Sequence, residues 1–120
     1  RTQISDFFGA KPENLIYTSG ATEAINLVSF GWARNNLNED DVIVVTEMEH
    51  HADIVPWQEL SKEKGVEVRY VPINIETFVL DMEAFEVAVE GASLVCVTHT
   101  SNVLGIRNPI EKIIDLKSFS

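Results

Sequence analysis

Three short stretches of the chain carry the residue types that can do chemistry: TSGATEA from Thr18, TEMEHHA from Thr46 and THTSNVLG from Thr98. In the first, Ser19 and Gly20 lead into a helix expected to begin at Ala21 or Thr22. Unpaired N–H groups at such a start, with the Thr22 hydroxyl beside them, form a cradle for a phosphate-like anion, and Gly20 would permit the tight turn before it. The competing role is local: Ser19 or Thr22 caps the helix, and Glu23 favours its positive end. A Walker P-loop is excluded because Gly-Lys-Ser/Thr is missing, and a dinucleotide fingerprint because its second and third glycines are missing.

In the second stretch His50 and His51 are adjacent, and neighbouring side chains diverge in a strand and in a helix alike. They are poorly placed to grip one metal ion. A zinc site would have to recruit His99 and the glutamates, and the chain has none of the usual spaced histidine pairs. One imidazole at a strand end can instead lie flat against an aromatic ligand and exchange a proton near neutral pH. Its ordinary alternative is a loop histidine bonded to backbone. In the third stretch Asn102 follows an apolar run and precedes a bend at Gly105. Its carboxamide offers a donor and an acceptor to a ligand oxygen, or else bonds its own turn. Cys96, inside LVCV, reads as a small hydrophobe with a raised pKa rather than a nucleophile.

The elements that must position these residues alternate. Four apolar runs read as buried strands: LIYT from Leu15, VIVVT from Val42, VEVRYVPI from Val66 and SLVCVTH from Ser93. Between them, TEAINLVSFGWARN places Ile25, Val28 and Trp32 at helical spacing. VPWQELSKEKG is a helix stopped by Gly65, DMEAFEVAVEG is acidic early and ends at a glycine, and NPIEKIIDLKSF starts a last helix at Pro109 that runs to the end. Such alternation predicts an α/β fold, a three-layer α/β/α arrangement around a mostly parallel sheet. Ligands of such sheets collect at the carboxyl ends of strands, where the three stretches fall.

The chain of 120 residues, 45% hydrophobic and 23% charged, suits one soluble domain. A net charge of −10 with scattered lysines and arginines disfavours nucleic acid and anionic lipid. No run reaches membrane-spanning length, and the opening RTQISDFF is unlike a secretory signal. The single cysteine excludes an internal disulfide, so a cytoplasmic protein is expected. RTQISDFFGA opens as if already inside a helix and KIIDLKSFS stops with no strand to follow, which reads as a piece of a larger domain.

Taken together, TSGATEAINLV, MEHHADIVPWQ and THTSNVLG resemble the cysteine desulfurases of the class-V aminotransferase family, most closely their sulfur-mobilising (SUF) group. The resemblance runs in order along nearly the whole chain. It implies part of the large domain of a pyridoxal phosphate (PLP) enzyme of fold type I, which takes sulfur from L-cysteine, leaves alanine and hands the sulfur to an acceptor protein for iron–sulfur cluster assembly. It implies a homodimer. By match of motif, Ala21 and Thr22 would hold the cofactor phosphate, His50 would stack on the pyridine ring and carry a proton, and Asn102 would approach the ring hydroxyl. His51 would belong to the supporting loop.

The pattern is also incomplete. PLP chemistry needs a lysine to hold the cofactor covalently and a carboxylate near the pyridine nitrogen. The family's Asp-Gly-Ala-Gln-like strand end and Ser-Gly-His-Lys-like turn have no counterpart here, and Lys11, Lys62, Lys64, Lys112 and Lys117 lie in polar helix or turn contexts. The family's substrate-binding arginine, its sulfur-accepting loop cysteine and its small C-terminal domain are likewise missing. Residues 1–120 are therefore expected to form an incomplete PLP-binding domain, inactive alone. A selenocysteine lyase, an aminotransferase and a non-catalytic α/β scaffold are the alternative readings.

Overall fold

The computed structural model describes residues 1–116. Its centre is β1, Val42–Thr46, whose five residues are all buried. Five β-branched residues and alternating orientation let this strand feed two cores at once. Parallel neighbours flank it, β2 (Glu67–Val71) on one side and β3 (Leu94–Cys96) on the other, in the order β2-β1-β3. With both edges of β1 taken, it is the only fully buried strand among the described residues. β2 lies at an edge and exposes Glu67 and Tyr70, so the expected burial of that run holds only in part.

Ile43 and Val45 face one core, with Ala33, Leu37, Trp57, Leu60 and Val66. Val42 and Val44 face the other, with Val71, Leu80, Phe85, Val89 and Ile113. The helices divide accordingly. After α1 (Thr2–Phe7), α2 (Ala21–Val28) continues through a π-helical turn at Ser29–Ala33 into α3 (Arg34–Asn36). Together with α4 (Val55–Lys64), this continuous helix covers the first face. The other face carries α5 (Met82–Ala88) and α6 (Ile110–Asp115). The layers are thus α/β/α.

Local signals account for several boundaries. α4 has Pro56 in its first turn and stops at Gly65, whose φ of 78° is left-handed; a Cβ there would also sit 3.3 Å from that of Glu39. α5 starts where Asp81 Oδ1 accepts the Ala84 N–H at 3.0 Å.

Three expectations are corrected. LIYT is not a strand: Ile16 and Tyr17 are exposed, and the segment pairs with no strand among the described residues, so extended backbone without a ladder partner stays irregular. Along the helix from Ala21, Val28 and Trp32 point to solvent, while Ile25, Ser29, Ala33 and Leu37 turn inward. Their spacing of four residues each, carried through the π turn, rotates the buried stripe away from the positions that ordinary helical spacing selects. Finally, α6 begins after Pro109 and ends at Asp115; the rest of the expected last helix, with Lys117, lies outside the described residues. Among the described residues, no helix is long and apolar enough to cross a membrane.

Candidate functional site

At the start of α2, Gly20 is the N-cap, and neither Ser19 nor Thr22 caps the helix. Ser19 instead donates its N–H and its hydroxyl to Glu23 Oε2 at 2.6 and 2.7 Å, and these bonds, the backbone one first, hold the Glu23 carboxyl below its usual range. The carboxylate is thereby turned back onto the preceding loop. The N–H groups of Ala21, Thr22 and Glu23 are left without an acceptor among the described residues. Gly20 itself is extended (φ 167°), with nothing within 4 Å of a Cβ position, so the chain bends at Ser19 and Gly20 without calling on a left-handed conformation.

The chain leaves β1 in a turn closed by the Glu49 N–H on Thr46 O, and a short 3₁₀ helix follows at His51–Asp53. His50 is its cap: Nδ1 accepts the Ala52 N–H at 3.1 Å. That bond assigns the neutral ring's proton to Nε2 and fixes the ring plane while its faces remain exposed. The loop-histidine role and the wall role are compatible in one side chain. His51 stands 6.3 Å from His50, with its ring plane turned by 77°. Among the described residues, no group of three histidine, cysteine or acidic side chains is arranged to hold a metal ion.

Beyond β3, the turn at 101–105 is built by Ser101, not by Asn102. The buried Ser101 hydroxyl accepts the Val103 and Leu104 N–H groups, and its carbonyl accepts that of Gly105, which is left-handed at φ 68°. The Asn102 side chain makes no hydrogen bond among the described residues and is exposed. Its carboxamide is available to a ligand.

These segments meet. A cleft of about 320 Å³ is lined by Ala21, Thr22, Ile25, His50, Ala52, Thr98, Thr100 and Asn102. Ala21, Thr22, His50 and Asn102, singled out from sequence, therefore share one concavity, which lies at the carboxyl ends of β1 and β3 beside the start of α2. His51 lies outside it, lining a neighbouring groove with Thr22, Asn26 and Val55. Sequence reading missed Thr98 and Thr100, although their place just after a buried strand was a signal. It also missed the packing beneath. Asp53 Oδ1 accepts the Trp57 indole N–H at 2.9 Å. Burial, with Asp53 and Glu49 close by, pushes the Cys96 thiol up, in the direction its apolar strand setting led us to expect. Cys96 is held as a neutral thiol under the cleft.

The α/β domain thus carries a cleft whose volume is near the lower end of the range for small-molecule sites, about 300–1,000 Å³, and whose lining mixes polar side chains with Ala21, Ile25 and Ala52. Residues 1–118 match the family model of the class-V aminotransferases, and the chain belongs to that family. It is 46% identical over 116 residues to a cysteine desulfurase of Yersinia pestis (strain Pestoides F), covering 95% of this chain and 28% of that protein. Among solved structures, the apo cysteine desulfurase of Thermococcus onnurineus NA1 superposes at a TM-score of 0.89 with 34% identity, over 96% of this chain and 28% of that one. The cysteine desulfurase CsdA of Escherichia coli gives 0.83 with 28% identity, over 95% and 29%. The fold is the fold type I of these enzymes, of which the chain spans somewhat more than a quarter.

Proposed function

We propose that this chain is the first part of the PLP-binding large domain of a cysteine desulfurase, of the sulfur-mobilising type. The observation that carries the reading is the single cleft shared by Ala21, Thr22, His50 and Asn102. The residues fit the cofactor: N–H groups and a hydroxyl for its phosphate, an imidazole face for its ring, and a carboxamide for its ring hydroxyl. When bound, PLP supplies an electron sink for breaking bonds at the amino acid's α and β carbons. Ala21 and Thr22 would anchor the anion, and His50 would bar one ring face from water and hold a proton at Nε2. In the parent protein the substrate is L-cysteine, the products are alanine and sulfur passed to an acceptor protein, and the setting is cytoplasmic iron–sulfur cluster assembly.

The same geometry limits this chain. Among the described residues no lysine and no carboxylate line the cleft; Lys62 pairs with Glu59, and Lys64 donates to the Arg34 carbonyl. Incubated with L-cysteine and PLP, the chain is expected to release no alanine above a cofactor-only control, scored by amino-acid analysis. Turnover at a steady rate would refute the assignment of an incomplete site.

Assembly gives a second expected result. The parent is a homodimer on this reading, and β2 and β3 each leave one edge unpaired among the described residues, an arrangement that favours strand-to-strand association. Sedimentation velocity should show concentration-dependent self-association. A monodisperse monomer at high concentration would count against pairing.

A further inference from the structure

The backbone that forms the cleft floor at Thr98 is held by side chains rather than by the sheet. β3 stays in register with β1 only as far as Val45 opposite Cys96, because β1 turns away after Thr46. Beyond that point the Thr98 N–H and C=O have lost their ladder partners, and an unpaired peptide group at a half-buried position is costly. Two distant residues replace the ladder. Glu49 Oε1 accepts the Thr98 N–H at 2.7 Å and also the hydroxyl of fully buried Thr46 at 2.7 Å. Asn108, only 1% exposed, donates Nδ2 to the Thr98 carbonyl at 2.8 Å, while its own N–H goes to the His99 carbonyl. Thr98 is thus gripped at both ends of its backbone.

We propose that Glu49 and Asn108 are positioning residues: they fix the strand-end backbone at Thr98, and through it Thr100 and Asn102, at a set distance from the His50 wall. Glu49 is suited to this because it precedes His50 directly, so one turn carries a wall of the cleft and the brace that reaches across to the opposite side. Its carboxyl is pushed up by burial first, with Asp53 adding to the effect; the chain retains a partly desolvated carboxylate where an apolar residue would pack at lower cost. Asn108 makes a parallel sacrifice. Its Oδ1 is buried with no partner among the described residues, while Nδ2 is committed to Thr98 and to a longer contact with Met48 Sδ.

The assignment of these two residues to the cleft backbone stands apart from any ligand; only their effect on cofactor affinity rests on the function proposed above. Amide hydrogen exchange and proton shifts, resolved by residue in the full chain, test it. Glu49→Ala should speed exchange at Thr98 by about tenfold or more, the scale of a lost bond to a charged acceptor, with Val44 and Val45 unchanged. Glu49→Gln, which keeps an acceptor and the shape, should restore protection while moving the Thr98 amide proton upfield. Asn108→Ala should loosen the Ser101 to Gly105 turn and, where the parent chain binds PLP, weaken that binding. A structural role alone would accelerate all core amides by a common factor and would overturn the proposal, as would an unmoved Thr98 resonance in Glu49→Gln. If the parent chain binds no PLP yet Thr98 responds as described, the cofactor reading fails and the positioning role stands.

Discussion

Thr22→Val combined with His50→Ala is expected to abolish saturable PLP binding by this chain. The valine keeps the volume and branching of threonine but removes the one side-chain hydroxyl at the start of α2, leaving only backbone N–H groups for the phosphate. A hydrogen bond to a charged group is worth about 1.5–3 kcal/mol. Removing the imidazole takes away a flat, oriented surface whose stacking contributes about 0.5–1.5 kcal/mol beyond simple burial. Lost together, the two weaken affinity by about thirtyfold to a thousandfold. The fold should survive. Both residues are exposed, and the Ala52 N–H that His50 Nδ1 accepts can turn to water. Absorbance titration of the cofactor, with circular dichroism as the fold control, reads the result. Equal binding by the double variant would sink the site, whereas absence of binding in the parent chain would favour a scaffold without cofactor.

Trp57→Ala should cost about 3–5 kcal/mol of folding stability, the usual range for deleting a large buried aromatic ring. Trp57 is 2% exposed in the first core, against Leu60, Ile43 and Val45, so the vacated space has little freedom to collapse. A second loss compounds the first: Asp53 Oδ1 gives up the indole N–H, in a region already crowded by Glu49 and the Cys96 thiol. Native domains hold only about 5–15 kcal/mol in total, so this single change threatens folding near body temperature. Trp57→Phe keeps most of the ring volume and loses the hydrogen bond, and should cost a fraction as much. Urea titration of the pair separates packing from the bond. A loss under about 1 kcal/mol for the alanine variant would contradict the assignment of Trp57 to the core.

Most of the candidate site was legible before any coordinates because strand-end residues announce themselves. The VIVVT run ends on the first residue of TEMEHHA, and LVCV leads directly into THTSN, so the parallel-sheet rule assigned both to one rim. The supports were not legible. Nothing in the chain's order relates Glu49 to Thr98, because that bond exists only where β1 and β3 stop pairing, a matter of register and strand length. Asn102 was singled out from its motif, but its freedom from turn bonds depends on Ser101 taking them over, a choice among similar polar neighbours that tertiary burial decides.

Composition and periodicity by themselves determined an α/β/α chain in which VIVVT is a buried strand, since only a strand covered on both faces tolerates five consecutive buried residues. The resemblance of three motifs to the cysteine desulfurases narrowed the candidates to Ala21, Thr22, His50 and Asn102. The tertiary structure alone decided that LIYT has no strand partner among the described residues, and that the buried helical stripe runs through Ser29 and Ala33. It also decided that Thr22, His50 and Asn102 open onto one cleft. The physical reason is common to all three: pairing, rotation and convergence are relations between segments, and their energies arise only when distant parts of the chain compete for the same edge, face or volume.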